Sequence, residues 1–454
     1  MAALDNGTVP DNDKAPTNKR ASAEGAPTQT AWERGDLFGL DIPADIDTLA
    51  SGGADFLTRA FRASGALSDS DCVTRIDQCE ECFGGGTGRK LLLAVDYSNP
   101  TSALPTQLFV KFSRNFADAM RDRSKHMMVA EVKFAALSRV PGFPVAVPEC
   151  LFADVNAASG TGLMITERLR FGTDGVEPQY PKCMDDTVPQ PLEHYMAIVK
   201  ALARLSGTHR AGRLPASFDS AFRFDLDTAL AADPIRYSGD KLLRRVTRIA
   251  AFIGRHPRLF PANLVDAEFR ARFVAEAPRA VEKEMAVKHF LHGNPDFIAL
   301  CHWNANIDNG WFWRNGDAEL ACGLMDWGRV GQMSVAQTLY GAFSGAEKPL
   351  WDAHLDDIVA LFAREYRAAG GPALDVGELK THTLLVTAMM GLAYLMDAPA
   401  IIERDIADLD AASGPTDVRF REHEDARVQL HMLTMFLNQW QTRDLGALID
   451  RVAP

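Results

Sequence analysis

The sequence predicts an α+β fold in two unequal parts, a small β-rich lobe followed by a larger helical one. Three observations carry this. Between residues 73 and 167 the apolar residues come in short runs broken by Gly, Pro and Asn, the pattern of strands and turns. From residue 192 they recur at helical spacing, as in Tyr195, Ile198, Val199, Leu202 and Leu205. Between the two, Arg168 to Pro191 is polar and rich in Gly and Pro, which is linker chemistry. The expected division is a disordered tail at 1–30, a β-rich lobe at 31–170 and a helical lobe at 171–454.

Each element follows from a local pattern. Residues 1–30 are rich in Ala, Pro, Thr, Asn, Asp and Gly and hold no aromatic side chain, so they have little to bury. Ile46 to Phe61 reads as an amphipathic helix, weakened by Gly52 and Gly53. Val73 to Ile76 reads as a strand. Phe83-Gly-Gly-Gly-Thr-Gly88 is a glycine-rich turn. Lys90 to Tyr97 and Leu108-Phe-Val-Lys-Phe112 are further strands, and their order suggests an antiparallel meander. A helix follows through Met127, Val129, Val132, Phe134 and Leu137, ended by Pro141, Pro144 and Pro148. Strands start again at Leu151 and Gly162. After the linker, 240–255 and 266–291 are helical in pattern. Leu300 to Phe312 and Leu320 to Trp327 break that rhythm, and beyond Ser334 it resumes. Leu384 to Met396 is the longest apolar run, with 13 residues. It is too short to span a bilayer and reads as a buried helix.

Composition narrows the function. Hydrophobic residues make up 47% and charged residues 24% of the 454, which excludes a disordered chain or a long coiled coil. The net charge is −12, from 60 acidic and 48 basic residues, the wrong balance for a protein that grips nucleic-acid phosphates. Seven cysteines are not a disulfide scaffold, and reduced thiols in the cytoplasm are the simpler reading. Cys79 and Cys82 form a Cys-x-x-Cys with no further ligands at metal-binding spacing. No signal-peptide pattern opens the chain, so neither nucleic acid nor membrane is expected as a partner.

Four places carry possible chemistry. Lys111 sits on an apolar strand, where a lysine needs a partner unless it lies at an edge. Glu131 lies in the next helix, otherwise apolar on one face, and an ion pair with Lys111 would join strand to helix and aim the ammonium at a phosphate. Cys301-His-Trp-Asn-Ala-Asn-Ile-Asp-Asn309 packs His302, Asn304, Asn306, Asp308 and Asn309 into one loop. Asp326, in Leu324-Met-Asp-Trp-Gly328, follows an apolar strand and is placed to hold a hard cation. Taken singly, each has an ordinary reading: an edge lysine, a solvated glutamate, a loop of Asx-turns, a turn-forming aspartate. Trp303, Trp311, Trp313 and Trp327 either wall a pocket there or fill the core. His209 is read as a helix-packing histidine.

In order, the glycine turn, strand lysine, helix glutamate, His/Asn loop and the aspartate 22 residues after Asn304 resemble the kinase-like phosphotransferases. This is the superfamily of aminoglycoside phosphotransferases, choline kinases and ecdysteroid kinase-like proteins, and the resemblance spans roughly residues 45–400. It implies a bilobal protein-kinase-like fold. It also implies ATP and Mg2+ as cofactors, and transfer of the γ-phosphoryl group to a hydroxyl of a small molecule, which the acidic charge slightly favours as cationic. Gly84, Gly85, Gly86 and Gly88 resemble the loop over the phosphates. Lys111 resembles the lysine on the α- and β-phosphates, with Glu131 its partner. Thr166, Glu167, Arg168 and Leu169 resemble the hinge whose backbone reads the adenine edge. Asn309 and Asp326 fall on the metal-binding positions.

The sequence departs from that family where its pattern His-Gly-Asp-x-His-x-x-Asn places the catalytic aspartate. Asn304 stands there, with Trp303 in place of the glycine and Asn306 in place of the second histidine. Asparagine can orient a hydroxyl but cannot take its proton. A lost general base slows a reaction by about 10²–10⁴-fold. Asp308 is one substitute, an acceptor acidic enough to need no base is another, and Asp296 in His292-Gly-Asn-Pro-Asp296 is a third carboxylate nearby. That segment also begins the motif, but no asparagine follows at the required spacing. The alternative is a pseudokinase that binds nucleotide or metabolite without transfer. A nucleotidyl transfer is a third possibility, for which the sequence offers no direct sign.

Overall fold

The structure, a computed structural model, describes residues 32–82 and 88–453. The tail at 1–30 and Gly84, Gly85 and Gly86 lie outside the described residues. Strands β1 (Trp32–Arg34) and β2 (Asp41–Pro43) pair ahead of helix α1 (Ile46–Ala63). The Asp45 side chain caps α1 by accepting from Thr48 N–H at 2.8 Å. Gly53, at φ +55°, breaks the helical path, as the glycine pair led one to expect.

Strands β3 (Val73–Cys82), β4 (Arg89–Tyr97) and β5 (Gln107–Phe112) come next. Helices α2 (Ala119–Asp122) and α3 (Met128–Leu137) lead to β6 (Cys150–Asn156) and β7 (Thr161–Glu167). The five long strands form one antiparallel sheet in the order β3-β4-β5-β7-β6. β3 continues to Cys82, beyond the apolar stretch that announced it. As an edge strand it is held by backbone pairing to β4, and its polar second half carries no hydrophobic signal. Cys79 and Cys82 pair with Leu93 and Lys90. Three residues apart on a strand, they fall on opposite faces and do not share a ligand.

Strand alternation decides what faces the cleft. Leu108, Val110 and Phe112 of β5 join Leu91, Leu93 and Val95 of β4 in a core closed by Phe56, Leu57 and Phe61 of α1. Lys111 must then face the opposite side, where α3 packs on β6 and β7 through Met128, Val132 and Ala135. Gly88, at φ +60°, opens β4, and a Cβ there would lie 1.7 Å from the Phe112 carbonyl oxygen. Gly88→Ala is therefore expected to cost roughly 2 kcal/mol or more, from left-handed strain and a backbone clash. Urea denaturation measures it.

The second lobe is built around α4 (Pro191–Arg210), buried along much of its length. Strands β8 (Ile298–Cys301) and β11 (Gly331–Ser334) pair, as do β9 (Gly310–Arg314) and β10 (Leu320–Leu324). The pattern read as one helix at 266–291 is two, Ala267–Glu282 and Glu284–Gly293, broken at Lys283. Ala280, Val287 and Leu291 stay on one buried face across the break, so apolar spacing does not register it. The run at Leu384 lies in Val376–Tyr394, buried on most sides. Among the described residues no single helix is long and apolar enough to cross a membrane. The pair Val376–Tyr394 and Ala398–Asp405, bent by 54°, passes by length and composition alone. The linker lies on the helical lobe: Glu177 N–H donates to Phe312 O at 2.8 Å, and Asp185 accepts from Tyr195 and from Glu347 N–H.

Two buried histidines make the helical core acid-sensitive. His382 is stacked on Phe297 at 4.2 Å between centroids, and the Nδ1 atoms of His382 and His292 have no hydrogen-bond partner. Burial lowers both pKa values from 6.5 to about 4, helped for His292 by Lys288 and for His382 by His292. Depressed bases favour the fold above pH 6.5, and that contribution is lost as pH falls toward 4. Asp185, raised to about 7 by burial, acts in the opposite direction, so the readout is a difference. His382→Phe should lose less stability than the parent protein between pH 6.5 and 4, measured by denaturation at each pH.

Candidate active site

One ammonium joins the two lobes. Lys111 Nζ donates to both oxygens of Glu131, at 2.9 and 2.8 Å, and to Asp326 Oδ1 at 2.9 Å. Lys111 and Glu131 are buried, while the Asp326 side chain is 51% exposed at the cleft mouth. Burial works against a charge on Lys111, but the two carboxylates outweigh it and raise its pKa. Burial raises Glu131, with Lys111 opposing. Burial also disfavours ionised Asp326, yet Lys111 holds its pKa below the usual carboxylate range. Asp326 has φ +59°, so the chain turns sharply where β10 ends.

Trp327 fastens this corner to α3. Its ring stacks on Phe134, three residues after Glu131, with centroids 4.0 Å apart, and its Nε1–H donates to Leu324 O at 2.9 Å. The helix that carries Glu131 is thereby set against the turn that carries Asp326.

The His/Asn loop is fixed by unambiguous donors. His302 Nε2 lies 3.0 Å from Met325 O and can only donate there, so Nδ1 is the acceptor for Asn304 N–H at 3.1 Å. Burial lowers the His302 pKa, and the neutral ring ties the loop to the residue before Asp326. Asn309 Nδ2 donates to Asn304 O at 2.8 Å, and Asn309 O accepts from Met325 N–H at 2.9 Å. Since a carbonyl oxygen can only accept, the free end of Asn309 is its Oδ1. Asn309 and Asp326 thus offer oxygens, which suits a hard cation. No group of three or more His, Cys, Asp or Glu side chains among the described residues could hold a metal ion. An ion at Asn309 and Asp326 would complete its shell with water and phosphate oxygens, as magnesium does. Behind the loop, helix Val335–Phe343 comes so close that a Cβ on Gly341 would lie 2.1 Å from Trp303 O.

Other expected residues lie apart from this constellation. Asp308 is largely buried, its Oδ1 has no partner, and burial raises its pKa, with Lys182 its main opposing charge. It makes no hydrogen bond to Asn304. Asp296 pairs with Arg210 at 3.6 Å, and His292 ends a helix in the core. His209 links α4 to β8 by accepting from Leu300 N–H at 3.2 Å. In the segment expected to be the hinge, Arg168 N–H donates to Gln107 O at 3.0 Å, and Glu167 accepts from Glu149 N–H at 2.9 Å. Leu169 lies beyond the β7 pairing. Of the four tryptophans, Trp327 is core, and Trp311 packs with Trp313 on β9. Trp303 is half-buried under the Arg329 guanidinium, 4.4 Å from its ring centre.

One participant is not singled out from sequence, and a second has contacts that the sequence does not show. Lys90 stands directly across from Lys111 in the β4–β5 register, so two cations share the cleft face. Burial, then Lys111, lowers its pKa. Asn306 is buried and bridges Ser344 and Gly345 to Asn304. Register and tertiary contact, which single-sequence patterns do not carry, reveal both.

No protein-family model and no curated protein matches the chain. Solved structures with similar folds include choline kinase from Cryptosporidium parvum, at 12% identity over 88% of this chain and 98% of that one, with a TM-score of 0.42. A choline/ethanolamine kinase family protein from Mesorhizobium loti matches at 15% identity over 78% and 92%, with a TM-score of 0.36. An aminoglycoside phosphotransferase from Streptomyces rimosus matches at 16% identity over 74% and 97%, with a TM-score of 0.30. These likenesses are distant.

Proposed function

We propose that this protein is a phosphotransferase that moves the γ-phosphoryl group of ATP to an oxygen of a small molecule. The observation that carries the proposal is the meeting of Lys111, Glu131 and Asp326 between the lobes. Lys111 would bind phosphate oxygens, Glu131 would hold its ammonium in place, and Lys90 would add a second positive charge. The backbone at Glu167 to Leu169 would meet the adenine, and Gly85 and Gly86 would cover the phosphates. Asn309 and Asp326 would hold Mg2+, which supplies charge neutralisation to the transferring group. Phosphoryl transfer depends mainly on such positioning and charge stabilisation. On this reading residues 31–170 bind the nucleotide, and the acceptor pocket belongs to 171–454. Free thiols at all seven cysteines suit a cytoplasmic setting.

Asn304 favours a second reading, a binding protein without transfer, because no base stands where a hydroxyl would be deprotonated. ADP release from ATP and Mg2+, followed with a panel of small acceptors, separates the two. Acceptor-stimulated release is expected. Nucleotide binding with no release would favour the second reading, and a protein that neither binds nor turns over nucleotide would overturn both.

A further inference from the structure

The polarity of Asn304 follows from a chain of hydrogen bonds that starts at a backbone donor. Gly345 N–H and Ser344 Oγ–H donate to Asn306 Oδ1, at 3.0 and 3.1 Å. A backbone N–H can only donate, so the other end of Asn306 is its amide nitrogen. That nitrogen donates to Asn304 Oδ1 at 2.5 Å. The remaining group of Asn304 is therefore its Nδ2, with two hydrogens and no hydrogen-bond partner among the described residues. Asn306 is buried and Asn304 partly exposed, so the chain runs from the core outward and ends on a donor.

No base is hydrogen-bonded to the Asn304 amide. Both nitrogens of His302 are engaged, with Met325 O and Asn304 N–H. Asp326 Oδ1 is hydrogen-bonded to Lys111, and Asp308, whose buried Oδ1 has no partner, makes no hydrogen bond to Asn304. A hydroxyl held by Asn304 would meet a donor, with no base hydrogen-bonded to that amide. A carboxylate needs no base and accepts the donor.

We infer that the acceptor is a carboxylic acid in its ionised form, oriented by Asn304 Nδ2. The inference rests on the phosphotransferase reading above. One carboxylate oxygen accepts the hydrogen bond from Asn304. The other attacks the γ-phosphorus, the new P–O bond forms, and the β,γ-bridging oxygen leaves with its electron pair on ADP. The product is an acyl phosphate, and no proton moves. Asn306 is a positioning residue, since it keeps the Asn304 amide from turning over.

The test uses the full chain with ATP, Mg2+ and matched acceptor pairs: acetate and ethanol, benzoate and benzyl alcohol, glycolate and ethylene glycol. ADP release is followed, acyl phosphate is trapped with hydroxylamine as the hydroxamate, and nucleotide binding is measured on the same samples. Hydroxamate from the acid of a pair, with little turnover of its alcohol, is expected. Asn304→Asp should move the acid-to-alcohol ratio of kcat/KM toward the alcohol by about 100-fold, because it adds a base and repels an anion. Preference for the alcohol by the parent protein would overturn the carboxylate inference and leave the phosphotransferase reading standing. Nucleotide binding with no turnover of either class would also overturn it, in favour of a binding protein. Absence of nucleotide binding would sink the underlying reading itself.

Discussion

Lys111→Met is expected to have the largest combined effect on stability and function. The side chain is buried and holds two carboxylates, one of them fully inside the lobe. Removing one partner of a buried ion pair costs roughly 3–5 kcal/mol, because the other charge is left unpaired. Glu131, already pushed upward by burial, would respond by binding a proton. A carboxyl with a raised pKa loses its contribution to stability as pH rises through that value. The deficit of the variant relative to the parent should therefore be larger at pH 8 than at pH 5. Denaturation at both values checks the sign, and an equal deficit would mean that Glu131 is not the group left stranded. Phosphotransfer should fall by at least about 10²-fold, the usual consequence of removing one preorganised charge from a transition state.

Asp326→Ala is expected to be mild in stability and severe in function. Half of its side chain is open to solvent and Glu131 remains to pair with Lys111, so the lost pairing and the strain of alanine at φ +59° together cost about 1–2 kcal/mol. Its role would be to hold the ion. Loss of that carboxylate leaves Asn309 Oδ1 as the one remaining oxygen of the pair. Product formation should drop about 10³-fold or more, while the urea midpoint falls only modestly. A large fall in stability with modest loss of turnover would assign Asp326 to fold maintenance.

Much of the architecture is legible in the sequence, for specific reasons. Leu108, Val110 and Phe112 alternate with Lys111, so strand and lysine orientation come from period two alone. Glu131 alone reads as a solvated glutamate, and it gains meaning only as a possible partner for Lys111 twenty residues earlier. The late cluster stood out because polar amides rarely crowd one loop. What stayed hidden depends on contacts between distant segments. The second half of β3 is polar and held by backbone bonds. Lys90 is recognisable as a neighbour of Lys111 only once the β4–β5 register is known. The stack of Trp327 on Phe134 turns one tryptophan of four into the clasp between lobes, and nothing in their spacing singles it out. The direction of the Asn304 amide depends on a backbone N–H at Gly345, some forty residues away.

The central claim is that a nucleotide and a divalent ion share the cleft beside Lys111, Asn309 and Asp326. Thermal shift with ATP, ADP and GTP, each with and without Mg2+, tests it most directly when run on the parent protein and Asp326→Ala together. A ligand at a hundredfold excess over Kd stabilises the fold by about 2.7 kcal/mol. A clear shift with nucleotide is expected in the parent, increased by Mg2+, with the Mg2+-dependent part lost in Asp326→Ala. No shift with any nucleotide, or a Mg2+-dependent shift that survives in Asp326→Ala, would contradict it.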